Sequence, residues 1–210
     1  MSKVKLKHAS GNSMSIAAPA TNPASDLELK LPPTIGTAGQ VLKNSSTAGT
    51  LEFGGGGKIL QVVKGTALTA IKYDSSTTFT NMSDTLPSVT ITPAATSSKI
   101  FVTFTGNFHC DDAGDTWYAT LKRDIGGTVT DLGNATNGLA HGNAVADLSY
   151  GSATMTVLDE PGTTSACKYQ VYFRNNNDDS SAAYHVVLGG GQHGGTNTMP
   201  SYVIAMEVGA

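Results

Sequence analysis

The chain has 210 residues, 24 of them glycine, a net charge of -3 and only 14% charged residues. Soluble proteins carry roughly a quarter charged residues, so this low-charge sequence, rich in Gly, Ser, Thr and Asn, resembles the surfaces of extracellular and particle-borne β proteins. Residues 1–57 carry five lysines and three acidic residues, an excess of two positive charges that is too small for strong binding of nucleic acid.

Residues 1–57 are predicted to form an extended, β-rich N-terminal anchor segment. Phe53 is the one aromatic residue of the first 53, and the larger apolar residues come in short alternating bursts. So few apolar side chains cannot offset the entropy lost on ordering more than fifty residues. We therefore expect this segment to order only within an oligomer or against a large partner. The candidate docking residues are Val4, Leu6, Leu27, Leu29 and Leu31.

Four consecutive glycines, residues 54–57, follow this segment. Glycine is permissive in its backbone angles and loses much entropy when it is ordered. The run therefore predicts a hinge, with residues 1–57 as anchor and residues 58–210 as a separate head domain.

The head domain is predicted to be all-β, an antiparallel β-sandwich or jelly roll. Its turn signals recur every 8 to 15 residues, and helix signals are nearly absent. The predicted strands are 58–64, 67–73, 77–80, 88–92, 99–110, 117–123, 128–132, 144–150, 153–158, 167–174, 182–188 and 201–208.

Three of these strands carry more detailed predictions. Gly106 interrupts strand 99–110 and suggests a β-bulge. In strand 167–174 the residues Cys167, Tyr169, Val171 and Phe173 would face one side. Strand 201–208 is apolar on both faces, which predicts a central place in a sheet or along a subunit axis.

The start of the sequence lacks the apolar core of a signal peptide, and no stretch approaches the roughly 18 apolar residues of a membrane span. We therefore expect synthesis in a cytoplasm without ordinary secretion. Cys110 and Cys167 fit no metal-binding spacing, and cytosolic synthesis favours reduced thiols. Both are predicted to be buried and reduced.

Candidate sites are few. Asp111 and Asp112 lie in a polar stretch that either holds a hard cation or forms an ordinary turn between strands. Trp117 and Tyr118 stand beside it, and an aromatic ring next to a polar loop can stack on a sugar, although Trp117 can equally anchor the core. These four residues are the candidate receptor contacts. No catalytic residue, cofactor site or metal site is predicted, because no nucleophile elbow or phosphate-binding loop is present.

Three stretches resemble phage tail-fibre and other virion-fibre proteins, particularly those of marine and cyanobacterial phages. Residues 10–55 are similar to a recurrent fibre module that contains GQVL, residues 56–70 to the KI-Q-V strand that opens a distal domain, and residues 86–108 to an ITP…SSKI hairpin. The Leu-Lys-Arg-Asp sequence at residues 121–124 is similar to the next strand of that hairpin. Together these stretches cover most of the chain.

The resemblance implies a homotrimeric structural protein of the virion, made in the host cytoplasm and without enzymatic activity. The leading interpretation is a short tail fibre or tail appendage that contacts other virion proteins through its N-terminal segment and contacts a host surface glycan through its head. Because the chain has one shaft module and one head, a capsid head fibre or decoration protein is the first alternative. A carbohydrate-binding module outside any virion is the second. Neither nucleic-acid binding nor membrane insertion is expected.

Overall fold

The computed structural model describes residues 3–7, 10–11, 13–17, 20–21, 23–25, 27–37, 39–55, 59–68, 70, 72–74, 76–79, 86–110, 113–145, 149–176, 186–189 and 199–209. No helix occurs in these ranges, and the paired strands are antiparallel. The prediction of an all-β, antiparallel fold is therefore confirmed. The chain divides into two compact units, Met1–Gly56 and Gly57–Ala210.

The first unit consists of two hairpins. Its strands are β1 (Lys3–Lys7), β2 (Ser13–Ala17), β3 (Gln40–Asn44) and β4 (Leu51–Gly55). β1 pairs with β2, and β3 pairs with β4. An isolated parallel bridge between Lys30 and Thr50 places the preceding segment beside the second hairpin.

Little packing is seen among the described side chains of the first unit. Phe53 lies half-buried over Gly36, where an added Cβ would approach the ring Cγ to 2.7 Å. Lys43 and Glu52 form an ion pair at 3.4 Å, but both side chains are about half exposed, so the pair stabilises the unit little. None of the side chains described in this unit is buried.

A six-stranded sheet forms one layer of the second unit. Its strands are β5 (Ile59–Lys64), β6 (Lys72–Asp74), β8 (Lys99–Cys110), β12 (Ser149–Asp159), β14 (Val186–Leu188) and β15 (Tyr202–Val208). The order is β5-β15-β8-β14-β6, and β12 pairs with β8 along its length.

A five-stranded sheet forms the other layer. Its strands are β7 (Ser88–Ile91), β9 (Thr116–Ile125), β10 (Thr128–Asp131), β11 (Ala140–Asn143) and β13 (Cys167–Asn175). The order is β10-β9-β13-β7, and β11 also pairs with β9.

The hydrophobic core lies between the two sheets. Phe108 of β8 stacks on Trp117 of β9 with ring centroids 4.7 Å apart, and it meets the edge of Phe173 of β13 at 5.7 Å. Such aromatic pairs add to the stabilisation that comes from area burial alone. The second unit is therefore a β-sandwich with a core of its own.

The predicted alternation of β13 is confirmed. Cys167, Tyr169, Val171 and Phe173 are fully buried members of the core cluster. Alternate side chains of a strand point to opposite faces, so Lys168, Gln170, Tyr172 and Arg174 lie on the outer face of the five-stranded sheet.

Several predicted strands are wrong. Of the predicted strand 67–73, only the last residues form a strand, β6. Leu68 is buried in the core but lies outside any strand. The predicted strand 77–80 is wrong over its described residues. Residues 76–79 form a bend in which Ser76 Oγ accepts a hydrogen bond from Thr78 N, and this turn competes with strand pairing. The predicted strand 144–150 does not begin at Ala144. Ala144 lies just beyond β11, where its carbonyl oxygen accepts the Gly114 N–H, and the next strand begins at Ser149.

The remaining predicted strands lie at the positions of observed strands, but some differ in length. The predicted strand 99–110 matches β8 at both ends. The observed strand β12 (Ser149–Asp159) is longer than the predicted strand 153–158. Of the predicted strand 182–188 only β14 falls within the described residues.

Gly106 makes no bulge. It pairs in register with Ala153 of β12. An added Cβ would lie 2.8 Å from Ser201 Oγ and against the Phe104 ring, so close packing and not a backbone kink requires glycine here. The irregularity of this sheet lies instead in β15, between Glu207 and Val208.

β15 occupies a central place between β5 and β8, as predicted. It is not apolar on both faces, however. Its core-facing row consists of Val203, Ala205 and the fully buried Glu207.

Candidate functional site

The candidate docking residues of the first unit fall into two groups. Leu27, Leu29 and Leu31 are 77%, 62% and 72% exposed. Val4 lies opposite Ile16, and Leu6 opposite Met14, in the β1–β2 ladder. The structure therefore leaves the three leucines uncovered and places the other two residues in a hairpin.

Sequence reasoning missed part of this apolar surface. Ile35 is 94% exposed, and Val41 and Leu42 of β3 are close to half exposed. Their signal in the sequence is simple, because they are among the few large aliphatic residues of a stretch that is otherwise small and polar.

Trp117 does not line an open surface. It is only 6% exposed, and its ring is covered by Phe108. On the neighbouring strand, a Cβ added to Gly142 would approach the indole to 2.6 Å. This position favours the core role of Trp117 over contact with a receptor.

Tyr118 faces the opposite way, on the outer face of the five-stranded sheet. The Arg174 guanidinium lies 4.1 Å from its ring centroid, and the His141 ring stacks at 5.9 Å. Tyr118 is therefore part of a row of side chains that crosses three strands. Asp111 and Asp112 lie outside the described residues.

A buried polar cluster joins the two sheets at one end of the sandwich. Arg123 of β9 donates from Nη1 to both carboxylate oxygens of Asp159 of β12, at 2.7 and 2.9 Å. Tyr169 donates its hydroxyl to the same carboxylate at 2.7 Å. Burial, followed by the hydrogen bond to Asp159, raises the pKa of Tyr169 well above its usual range. These contacts tie β9, β12 and β13 to one another across the two sheets.

The Arg-Asp pair of the resembling motif thus has two structural roles. Arg123 makes the ion pair between the sheets, and Asp124 closes the following hairpin by accepting the Gly127 N–H at 2.7 Å. Gly126 and Gly127 have φ of 60° and 91°, values that glycine adopts readily.

Glu207 is a fully buried carboxylate held by donors from two segments. Gln61 Nε2 and the Ala94 N–H each donate to it at 2.6 Å. Burial raises the pKa of Glu207, but the hydrogen bonds that its carboxylate accepts outweigh this and lower the pKa below its usual value. The carboxylate therefore stays ionised and ties β15 to β5 and to the loop before β8.

Cys110 and Cys167 are buried, as predicted, and they form no disulfide. Burial raises the pKa of the Cys167 thiol, which makes it a poor nucleophile at neutral pH. Within the described ranges, no three His, Cys, Asp or Glu side chains come together in a way that could hold a metal ion. In the same ranges no helix is long and apolar enough to cross a membrane.

No protein-family model matches the chain, and no curated protein sequence is significantly similar to it.

Proposed function

We propose that the protein is a structural component of a phage virion, a short trimeric tail fibre or tail appendage. Its first unit would attach to other virion proteins, and its second unit would be displayed outward toward the host surface. The proposal rests on the resemblance of residues 10–55, 56–70 and 86–108 to virion-fibre modules and on the surface of the first unit.

One observation carries the attachment role. The first unit has no buried side chain among those described, while Leu27, Leu29, Leu31 and Ile35 are each more than 60% exposed. Burying a leucine contributes about 1.5–3 kcal/mol. Covering these residues with a partner therefore supplies the stabilisation that the isolated unit lacks.

The hairpins of this unit also offer main-chain binding. A two-stranded sheet has two open edges, and exposed N–H and C=O groups on an edge are templates for a strand of another chain. Docking by strand addition gains affinity from main-chain bonds, while alternate side chains supply specificity.

A row of apolar side chains on the second unit supports self-association. Val62, Met206, Phe101 and Leu158 lie opposite one another across four adjacent strands of the six-stranded sheet, on the face turned away from the core. Val62 and Leu158 are more than half exposed. The row carries no charge, so copies of the chain can bury it without desolvating an ion.

The trimer is tested by light scattering of the purified protein. We expect three times the 21.6-kDa mass of the chain. Val62→Asp combined with Leu158→Asp should reduce the mass to that of a monomer, while the control Val129→Asp, an exposed valine on the other sheet, should not. A monomeric wild-type protein at micromolar concentration would contradict the trimer.

Attachment is tested by incorporation into particles. Leu27→Asp combined with Leu29→Asp should abolish incorporation, because it places charge where apolar contact is needed. Thr21→Asp combined with Ser25→Asp adds the same charge to exposed polar positions of the same unit and should leave incorporation normal. Normal amounts of the leucine variant in particles would show that attachment lies elsewhere.

A capsid head fibre or decoration protein is the second candidate, and the same first-unit surface favours it. Localisation of the protein in a density map of the intact particle separates the two candidates. Density on the tail supports the tail appendage, and density on the shell supports the decoration protein.

A further inference from the structure

The outer face of the five-stranded sheet carries a cavity of about 500 Å³. Side chains of β9, β10 and β13 line it together with residues 77–79 and 135–136. Its lining residues are Thr77, Thr78, Phe79, Lys122, Asp131, Ala135, Thr136 and Arg174. A volume of this size accommodates a small ligand.

Lys122 is a cation in this cavity without a carboxylate partner in the described part of the chain. Its Nζ donates to the Phe79 carbonyl oxygen at 3.1 Å and lies 4.6 Å from the Tyr172 ring centroid. An ammonium group has three donors. Beyond the bond to Phe79, at most two N–H groups of Lys122 remain for a ligand, since its Nζ also lies 5.8 Å from the Phe79 ring centroid.

Arg174 is the second cation, and it is only 9% exposed. Its Nε and Nη2 donate to the Thr136 carbonyl oxygen, and its Nη1 donates to the Asn175 carbonyl oxygen at 2.7 Å. Its guanidinium also lies 5.3 Å from the Phe79 ring centroid. Since a guanidinium has five donors, two of them remain after these contacts.

Asp131 completes the polar lining. Its Oδ1 accepts the Thr120 hydroxyl at 2.7 Å and the Gly133 N–H at 3.0 Å. The structure records no ion pair between Asp131 and either cation. Two positive charges and one negative charge leave the cavity with a net charge of +1, which suits a monoanion better than a dianion.

We propose that this cavity binds an acidic saccharide, a sugar with a carboxylate. The carboxylate would accept hydrogen bonds from Lys122 and Arg174, because charge-assisted bonds are the strongest the cavity offers. The threonine hydroxyls and Asp131 would bond the sugar hydroxyls. The site belongs to the second unit and does not depend on the proposed trimer or on virion attachment.

Isothermal titration of the full chain with glucuronic acid tests the proposal, with glucose and inorganic phosphate as comparison ligands. We expect saturable binding of glucuronic acid and at least about tenfold weaker binding of glucose, which lacks the charge. Equal affinity for glucose, or tighter binding of phosphate, would overturn the assignment to an acidic saccharide. Absence of glucuronic acid binding would overturn it as well.

A variant and its matched control locate the site. Lys122→Gln should weaken binding by about tenfold or more. Lys168→Gln removes one positive charge from the same sheet face, but outside the cavity, and should change affinity less than twofold. Equal losses in both variants would show that the field of the whole face, and not the cavity, attracts the ligand.

A second measurement does not depend on the folding of any variant. Acetylation of the wild-type protein, followed by mass spectrometry, reports how reactive each lysine is. Glucuronic acid should protect Lys122 and leave Lys168 unprotected. Protection of both lysines, or of neither, would contradict the proposed site.

Discussion

Arg123 and Asp159 join the two sheets of the sandwich through Arg123 Nη1, which donates to both carboxylate oxygens at 2.7 and 2.9 Å. Both side chains are largely buried, and the Tyr169 hydroxyl binds the same carboxylate. Removing one member of a buried pair leaves the other charge without compensation, which costs far more than losing an exposed pair.

Asp159→Ala should therefore destabilise the protein by about 3–5 kcal/mol, measured by urea unfolding. The matched control is Glu160→Ala, which removes the neighbouring carboxylate from its exposed pair with Lys99 at 2.6 Å. Exposed pairs contribute about 0–1 kcal/mol, so the control should unfold almost like the wild type. Similar losses in the two variants would argue against a structural role for the Arg123–Asp159 pair.

The ionised carboxylate of Glu207 should make the stability of the protein sensitive to acid. The pKa of Glu207 is lowered in the folded protein, so its contribution to stability is present above the unfolded value of about 4.3 and is lost as the pH falls through the folded value. Glu207→Gln should be less stable than the wild type at pH 7, because Gln61 and Ala94 donate to different carboxylate oxygens and the substitution replaces one of these oxygens with an NH2 group.

Unfolding of both proteins from pH 7 to pH 3 checks this expectation. The stability difference should shrink as the pH falls below about 5. Glu160→Gln, on the surface, serves as the control and should show no such convergence. A difference that stays constant over the whole range would mean that ionisation of Glu207 does not contribute to stability.

Two glycines beside Trp117 should respond differently to the same substitution. A Cβ at Gly142 would lie 2.6 Å from the indole, but a Cβ at Gly151 would lie 3.6 Å away, an ordinary contact distance. Gly142→Ala should therefore cost about 1–3 kcal/mol through overpacking. Gly151→Ala should be neutral or stabilise slightly, since it reduces the entropy of the unfolded chain.

Thermal unfolding of the two alanine variants gives the comparison directly. If Gly151→Ala is as harmful as Gly142→Ala, the indole does not lie where the structure places it.

The second unit should fold without the first, because its core lies between its own two sheets. Brief digestion with trypsin should cut after Lys58, next to the glycine run, and should leave a resistant fragment of residues 59–210. Mass spectrometry identifies the fragment, and protein denatured in urea shows the cleavage expected without structure. Early cleavage after Arg123 or Lys168 would contradict an independent second unit.

The sequence was sufficient to predict the elements whose periodicity reflects burial. In β8 and β13 alternate residues enter the core, so the pattern in the sequence indicated both the strand and its faces. The prediction of strands was wrong in two kinds of place. Leu68 is buried in the core but belongs to no strand. Ser76 accepts a hydrogen bond within its own turn, which competes with strand pairing.

The polar contacts could not be predicted in the same way. Arg123 and Asp159 are 36 residues apart and lie in different sheets, so no local spacing indicates their contact. The cavity is assembled from four separate segments, and each of its cations looks like an ordinary exposed residue of a strand. Glu207 looks like part of an apolar strand in the sequence, because its donors lie in distant segments. The jelly-roll connectivity and the trimer stay predictions.

The position of β15 has a consequence for how the chain folds. β5 pairs with no described strand other than β15, so a strand made among the first of this unit must wait until residues 202–208 have been synthesised. Pairing over such a separation raises the contact order, and proteins rich in such contacts fold in milliseconds to seconds. Until then β8 has an open edge that other nascent chains can reach. We expect this interval to be when the protein is most prone to aggregate, and pulsed hydrogen exchange during refolding should show β5 protected among the last strands.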